Sequence, residues 1–172
     1  EDFVAAVEDA SGVDLTQFRL WYSQAGTPRV RATLSHEPAG GRARLTLEQA
    51  VPPTPGQPSK QPTLIPLRVA LFGEVTGQRL GEEQVVELDA ASHEILFEGI
   101  NERPVLSINR GFSAPVVIDS PRAAADLAFL SAHDDDPFAR YEAMQQLMLD
   151  TMMDAVGTGK ADHEPVIEAI RQ

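Results

Sequence analysis

Hydrophobic residues recur at every second position through the middle of the chain, from Arg29 to about Ser120. This alternation is typical of β-strands that bury one face and expose the other. The apolar positions of the three longest runs are Val30, Ala32 and Leu34, then Ala43, Leu45 and Leu47, then Ile65, Leu67, Val69 and Leu71. Shorter runs lie at Val85–Leu88, Glu94–Ile100, Val105–Asn109 and Val116–Ile118. About seven short strands with turn residues between them predict a mainly β protein, an immunoglobulin-like β-sandwich.

Glycine and proline mark the connections between these strands. Gly40-Gly41 predicts a hairpin between the first two strands. The Pro-rich stretch from Pro52 to Pro58 predicts a long, stiff connection to the third. Pro66 lies inside the strongest strand. Because proline has no N–H to donate to a neighbouring strand, we expect an edge position or a bulge there.

The first 23 residues have a helical pattern instead. Their apolar face is predicted to consist of Phe3, Val4 and Val7. Asp14 is a suitable cap for a following turn that holds Leu15, Phe18 and Trp21. Gly26-Thr27-Pro28 ends this helical region, because proline cannot continue a helix.

The helical period returns after Pro121. We predict a helix over Ala123–His133 and a second that opens at Asp136-Pro137, with an N-cap and a first-turn proline. Its apolar face is predicted to comprise Tyr141, Met144, Met148, Met152 and Ala155. Gly157 to Gly159 ends this helix, and a third runs from Glu164 to Gln172. We expect these amphipathic helices to need a partner that the chain largely omits.

The composition excludes several classes of protein. The 172 residues carry a formal net charge of -12, with 26 acidic against 14 basic side chains, which argues against a nucleic-acid partner. No run approaches the roughly 18 to 20 apolar residues that span a bilayer, so no membrane partner is expected. Cysteine is absent, which fits a reducing, cytoplasmic location. The chain starts at Glu1 and stops inside a predicted helix, and we expect it to be part of a longer protein.

Three His-Glu pairs are the first candidates for metal chemistry. A zinc peptidase helix places a second histidine four residues after the first, so that both face the metal. The pairs His36-Glu37, His93-Glu94 and His163-Glu164 are followed at that distance by Gly40, Phe97 and Ile167. None completes the site, and each histidine is expected to be a surface residue.

The other reactive residue types form no recognisable site. The acidic run His133–Asp136 lacks the pattern of a calcium loop and is better explained as helix capping. No Gly-x-Ser-x-Gly elbow surrounds Ser107, Ser113 or Ser120. Gly157-Thr158-Gly159-Lys160 lacks the spacing of a phosphate-binding loop. We therefore predict no catalytic, cofactor-binding or metal-ligating residue in this chain.

The segment from Arg110 to Pro115 is more distinctive. An Arg-Gly-Phe sequence can contact RNA, but the acidic chain lacks the aromatic partners for it. We predict a turn there, with Phe112 in the sandwich core and Arg110 paired with an acid at a domain junction.

Four segments resemble the bacterial aminopeptidase N family of zinc-dependent aminopeptidases, in order along the chain. They are Phe18 to Pro28, Gln49 to Pro66, Arg110 to Val116 and Asp134 to Leu149. The resemblance implies a parent of four domains, with residues 1–23 ending the catalytic domain, 24–120 forming the sandwich and 121–172 opening a helical domain. It implies that the helical domain covers the active site and that the sandwich sets its position.

The resemblance also implies zinc in the parent, held by H-E-x-x-H and a downstream glutamate, and peptides as its substrates. Neither that motif nor the G-A-M-E-N segment that binds the substrate amino group occurs here, so no catalytic residue is carried over. The expected partners are the catalytic and helical domains of the same protein. The alternative is an independent ligand- or protein-binding sandwich, with the Pro-rich loop as its site.

Overall fold

The computed structural model describes residues 2–120, 122–158 and 163–171. Two helices come first, α1 (Asp2–Ser11) and α2 (Leu20–Ser23). The strands that follow are β1 (Arg29–Glu37), β2 (Arg42–Ala50), β3 (Ile65–Gly73), β4 (Gln84–Leu88), β5 (Ser92–Glu98), β6 (Pro104–Ile108) and β7 (Val117–Ile118). Short 3-10 turns lie at Pro38–Gly40 and Arg110–Phe112. The C-terminal helices are α3 (Ala124–His133), α4 (Pro137–Thr158) and α5 (Glu164–Arg171).

The seven described strands form two sheets packed face to face. One sheet has the order β5-β2-β1-β7 and the other β4-β3-β6. All neighbours are antiparallel except β1 and β7, which pair in parallel over two residues. The predicted hairpin at Gly40-Gly41 joins β1 to β2, and Gly41 adopts a left-handed φ of 57°. The immunoglobulin-like sandwich predicted from the alternating pattern is confirmed.

Strand β3 is buried on both faces in its second half. Leu67, Val69 and Leu71 belong to the core between the sheets. Ala70 and Phe72 point the other way, into a second apolar cluster with α3, α4 and α5. Since neighbouring residues of a strand face opposite sides, one strand contributes to both cores. The helices thus pack directly on the outer face of the three-stranded sheet.

Pro66 lies in the central strand of its sheet, not at an edge. The half of β3 that contains Pro66 nevertheless has a neighbouring strand on one side only. Strand β4 pairs with Ile65–Val69, whereas β6 pairs with Val69–Gly73. The Arg68 N–H on the unpaired side donates to Ser113 Oγ at 2.9 Å. Main-chain groups two residues apart point to the same edge, so an N–H at position 66 would also face away from β4. The strand therefore tolerates proline here without a bulge.

The helices depart from the predicted faces. In α1 only Val4 is buried, and Phe3 is 76% exposed. In α4 the buried ridge is Ala139, Ala143 and Leu147, one residue ahead of the predicted Met144 and Met148. Tyr141 and Met152, which the prediction placed on the buried face, are exposed. Small alanines let α4 approach the sheet and α3 closely, whereas the longer methionines lie beside the contact.

Other predicted helix boundaries match the structure more closely. Asp14 caps its turn, with Oδ1 accepting the Thr16 N–H at 2.8 Å. Helix α3 begins at Ala124, one residue later than predicted. The predicted ends at Gly159 and Gln172, and Lys160 of the Gly-Thr-Gly-Lys segment, lie outside the described residues.

Candidate functional site: a buried arginine between the sandwich and the helices

Arg110 follows β6 in a tight turn that directs its side chain inward. Asn109 adopts a left-handed φ of 58°, and its Oδ1 accepts the Ala114 N–H at 2.9 Å, which closes the turn. Gly111 also has a positive φ, of 60°, and a Cβ there would lie 2.7 Å from the guanidinium of Arg68. Glycine is therefore favoured at this position, since any other side chain would be strained and would displace the Arg68 guanidinium. The turn leaves Arg110 only 3% exposed.

The guanidinium of Arg110 is surrounded by acceptors. Its Nε donates to Glu83 Oε2 at 2.6 Å, and its Nη1 donates to Asp134 Oδ1 at 2.6 Å and to Ser107 Oγ at 3.1 Å. Its Nη2 pairs with Asp135. The Phe72 ring lies 5.6 Å from the guanidinium carbon. A buried cation is tolerated only when it is paired and hydrogen-bonded, and Arg110 meets both conditions.

The acidic run between α3 and α4 supplies two of these partners. The side chain of Asp134 is fully buried, and its Oδ2 has no hydrogen-bond partner among the described residues. Asp136 Oδ2 accepts the Ala139 N–H at 2.9 Å and so caps α4 as predicted. The same oxygen accepts the Gly111 N–H at 2.8 Å. The predicted pairing of Arg110 with an acid is confirmed, whereas the capping explanation holds for Asp136 and misses the Arg110 contacts of Asp134 and Asp135.

Further arginines surround this cluster. Arg68 Nε donates to Glu83 Oε1 at 2.7 Å, and Arg79 pairs with Asp135 at 3.3 Å. Burial lowers the pKa of Arg110, but its bonds to Asp135 and Glu83 outweigh burial and hold that pKa above the ordinary value. Burial likewise raises the pKa of Glu83, yet the bonds from Arg110 and Arg68 leave it below the ordinary value. The cluster is therefore a set of matched charges.

Acid is expected to weaken this cluster through Glu83. Because the pKa of Glu83 is lower in the folded chain than its ordinary 4.5, its contribution is present above that value and is lost as the pH falls below it. The free energy of unfolding in urea should thus fall more steeply below about pH 4.5 in the wild type than in Glu83→Gln. Glu82→Gln, whose side chain is 94% exposed, is the matched control and should follow the wild-type slope. Equal slopes for all three chains would contradict the assignment.

Phe112 does not fill the sandwich core as predicted. It is 55% exposed, and its positive φ of 53° carries it outward. Its ring packs on Phe138 of α4 at a centroid distance of 5.4 Å. The small Ala114, 1% exposed, occupies the core position instead. The Arg110–Phe112 turn therefore contacts the helices both through charge and through an aromatic pair.

A second ion pair ties the sandwich to α3. Arg103 donates two hydrogen bonds to Asp126, at 2.8 and 3.0 Å, and one to Glu74 at 2.9 Å. The Asp126 hydrogen bonds are the main reason that the pKa of Arg103 lies above its ordinary value. The helices are thus bound at both ends of β6, by Arg103 before it and by Arg110 after it.

The N-terminal segment is bound to the opposite part of the sandwich. Trp21 Nε1 donates to the Leu64 carbonyl at 2.8 Å, beside the start of β3. In the Pro-rich loop, Gln57 Nε2 donates to the Ser23 carbonyl and its Oε1 accepts the Ala25 N–H, both at 2.8 Å. The loop therefore packs against the segment that leaves α2.

The histidines and serines considered for chemistry do not converge on one site. His36 is half-buried, with Nε2 3.0 Å from the Ile100 carbonyl, whereas His93 and His163 are exposed. Within the described ranges, no three His, Cys, Asp or Glu side chains form a group that could hold a metal ion. Ser107, Ser113 and Ser120 make hydrogen bonds to Arg110, to the Arg68 N–H and to the Ala32 N–H. Among the residues that the structure describes, no histidine is hydrogen-bonded to any of these three hydroxyls.

None of the helices that the structure describes combines the length and apolar character needed to cross a bilayer.

Comparison with protein families now identifies the sandwich. The family described as a domain of unknown function (DUF3458) with an Ig-like fold matches residues 26–121. The chain belongs to this family. A second family, described as DUF3458_C with ARM repeats, matches residues 124–172, which hold the C-terminal helices.

Curated relatives of this DUF3458 chain are named aminopeptidase N. The chain is 37% identical to that of Escherichia coli over 154 residues, 39% to that of Haemophilus influenzae over 153, and 42% to that of Caulobacter vibrioides over 153. These matches cover 86%, 86% and 89% of this chain. The chain spans 18% of the length of each relative. The resemblance to aminopeptidase N is therefore confirmed, and it concerns one part of those proteins.

A solved structure supports the same assignment. The crystal structure of Legionella pneumophila aminopeptidase A in complex with aspartic acid superimposes with a TM-score of 0.84 at 26% sequence identity. The match covers 98% of this chain and 19% of that chain. Sandwich and helices therefore occur together, in this arrangement, within a larger aminopeptidase.

Proposed function

We propose that this chain is a non-catalytic inter-domain module of a zinc metallo-aminopeptidase that removes N-terminal amino acids from peptides. Residues 1–23 would end the catalytic domain, 24–120 form the sandwich, and 121–172 open the helical domain. The module sets the position of the helical domain over the active site. Similarity to three aminopeptidase N chains over most of this sequence supports the parent activity.

The observation that carries the positioning role is the Arg110 junction. Its cation comes from the sandwich, and Asp134 and Asp135 come from the segment that joins α3 to α4. Opposite charges fixed by several hydrogen bonds define both distance and orientation, which apolar packing alone specifies less strictly. A helical domain held in this way keeps one orientation relative to the sandwich.

The residues described here do not fit a zinc site. None of the three His-Glu pairs has a second histidine four residues later, and the described side chains offer no cluster of three ligands. We therefore assign the zinc, and the peptide-bond chemistry that depends on it, to the remainder of the parent protein. A cytoplasmic location belongs to the same proposal.

An independent binding module is the weaker candidate. It would use the Pro-rich loop as an exposed recognition site, but Gln57 of that loop is hydrogen-bonded to Ser23 and Ala25. Lys60 extends these contacts, because its Nζ donates to Thr54 Oγ1 at 2.9 Å and also binds the Ala25 carbonyl. A loop bound to the α2 exit favours the inter-domain role.

The proposal predicts how the full-length parent responds when the junction is broken. Arg110→Met should reduce turnover of peptide substrates by about tenfold, since small displacements of groups around an active site carry large kinetic costs. Zinc content should remain unchanged. The measurement is kcat/KM for a tripeptide and for an aminoacyl p-nitroanilide, together with metal analysis of the same preparation.

The matched control is Arg44→Gln, which removes an exposed ion pair with Glu94 on the far sheet and should leave both substrates unaffected. Unchanged peptide turnover in Arg110→Met would exclude the positioning role. The isolated 172-residue chain should neither hydrolyse these substrates nor retain stoichiometric zinc after dialysis. Chelator-sensitive turnover by that chain would exclude the non-catalytic assignment.

A further inference from the structure

The sandwich is open along one side of β1. This strand pairs with β2 over its whole length but with β7 only at Arg29 and Val30. Two residues after Val30 along β1, the Ala32 N–H donates to Ser120 Oγ. Within the described part of the chain, the N–H groups of Leu34 and His36 then have no hydrogen-bond partner.

These groups point in a common direction. The main-chain N–H and C=O of alternate residues in a strand face the same edge. Because the Ala32 N–H points away from β2 toward Ser120, the main-chain groups of Leu34 and His36 point away from β2 as well. Such an edge is a template for an added strand.

A cavity of about 220 Å³ adjoins this edge. Its apolar wall comes from β1, β6 and β7 and includes Leu34, Leu106 and Ile118. Its polar side chains are His36, Ser120 and Arg122, together with Arg103 and Asp126, which are paired with each other. Arg122 also lines a neighbouring cavity of about 360 Å³ on the α4 side. The space therefore accepts a short aliphatic stem and presents a cation beside it.

Arg122 differs from Arg103, the other arginine that lines this cavity. Arg103 has Asp126 and Glu74 as partners, whereas the guanidinium of Arg122 makes no hydrogen bond or ion pair with any described residue. Burial lowers the pKa of Arg122, and the opposing effect of the negative charges on Glu142, Asp150 and Asp126 is smaller. Asp126 is already bound to Arg103, and Asp150 accepts a bond from Gln146 at 2.7 Å. Glu142 lines the neighbouring cavity with Arg122 but forms no ion pair with it, so no described carboxylate lies within ion-pair distance of this guanidinium.

Charge complementarity favours an acidic occupant, because Arg122 is a cation without an ion-pair partner among the described residues. Of the four arginines on β1 and β2, Arg29 and Arg44 are paired with Asp119 and Glu94, whereas Arg31 and Arg42 form no ion pair with a described residue. We propose that an extended polypeptide segment with an Asp or Glu side chain pairs with the free edge of β1 and places its carboxylate on Arg122. This partner would adjoin the Arg103–Asp126 pair, which also lines the cavity, and its binding does not depend on the parent activity.

The test uses the 172-residue chain labelled with ¹⁵N and two probe peptides, acetyl-Thr-Val-Glu-Val-Thr-amide and its Gln counterpart. We expect the Glu peptide to shift the amide resonances of Leu34 and His36 and the side-chain resonance of Arg122. The Gln peptide should bind about tenfold more weakly, because hydrogen bonds to charged groups are the stronger ones. In Arg122→Gln the two peptides should bind equally. Arg31→Gln, which changes an exposed cation of the same strand, should keep the discrimination.

Several results would overturn the proposal. Equal binding of both peptides to the unaltered chain would show that the carboxylate does not contribute to recognition, and this result is decisive even if Arg122→Gln fails to fold. Resonance shifts confined to other strands would show that the peptide does not bind at the β1 edge. N-acetylglutamate binding as tightly as the Glu peptide would identify a small-molecule site. Concentration-dependent shifts without any peptide would identify a second copy of the chain as the occupant.

Discussion

Replacing Arg110 with methionine should lower the free energy of unfolding by about 3–5 kcal/mol, the cost of removing one partner from a buried ion pair. The loss arises because Asp134, whose side chain is fully buried, keeps its charge without a counter-ion. Methionine has a similar length and is apolar, so the substitution isolates charge and hydrogen bonding from volume. Urea unfolding followed by circular dichroism at neutral pH measures the effect.

Two further variants make this prediction specific. Arg44→Gln breaks an ion pair in which both side chains are 56% exposed and should cost less than about 1 kcal/mol. Arg110→Met combined with Asp134→Asn should cost less than the sum of the single substitutions, because the second removes the charge that the first leaves unpaired. Additive costs would mean that Arg110 and Asp134 do not interact.

Phe72→Ala should be comparably destabilising, by about 3–5 kcal/mol, because it empties the contact between β3 and the helices. Phe72 is 2% exposed and packs in the cluster that contains Leu127, Leu130 and Leu147. Its ring also lies beside the Arg110 guanidinium, so the substitution removes an apolar neighbour of the charged cluster. The same urea measurement applies, with the loss of helical signal followed separately from the tryptophan fluorescence of Trp21.

Controls for Phe72 lie within the same strand and its hairpin. Phe72→Leu keeps most of the apolar volume and should cost less than the alanine variant. Val75→Ala changes a residue that is 84% exposed and should alter stability by no more than about 0.5 kcal/mol. A loss below about 1 kcal/mol for Phe72→Ala would contradict tight packing of the helices on the sheet.

The fold was largely predictable from the alternating pattern, because strands with one buried face impose it directly on the sequence. The helix faces were harder. Both Ala143 and Met144 are acceptable on a buried helix face, and the choice between them depends on how closely α4 approaches its neighbours. The prediction for Pro66 was an edge position or a bulge, because the sequence does not show that β6 leaves half of β3 unpaired.

The junction was only half predictable. The sequence marks Arg110 as a residue in need of an acid and Asp134 as part of an acidic run, but the two are 24 positions apart. What brings them together is the turn at Asn109–Phe112, where two non-glycine residues adopt positive φ angles. Asparagine is among the non-glycine residues that most often adopt such angles, but phenylalanine rarely does, so the pattern of hydrophobic and polar positions does not predict this turn. No sequence pattern predicts that Glu83 belongs to the cluster, since it lies in a loop and reaches Arg110 only through tertiary contact.

The double burial of β3 has a consequence for how this protein can be divided. Family profiles place a boundary between residues 121 and 124, as if the sandwich and the helices were exchangeable parts. A sandwich cut at that boundary would present Ala70, Phe72 and Val105 to water and would leave Arg110 without two of its acids. An exposed apolar patch beside an unpaired cation is an aggregation hazard rather than a neutral surface. Sequence modules and folding units therefore do not coincide here, and domain recombination would have to move both together.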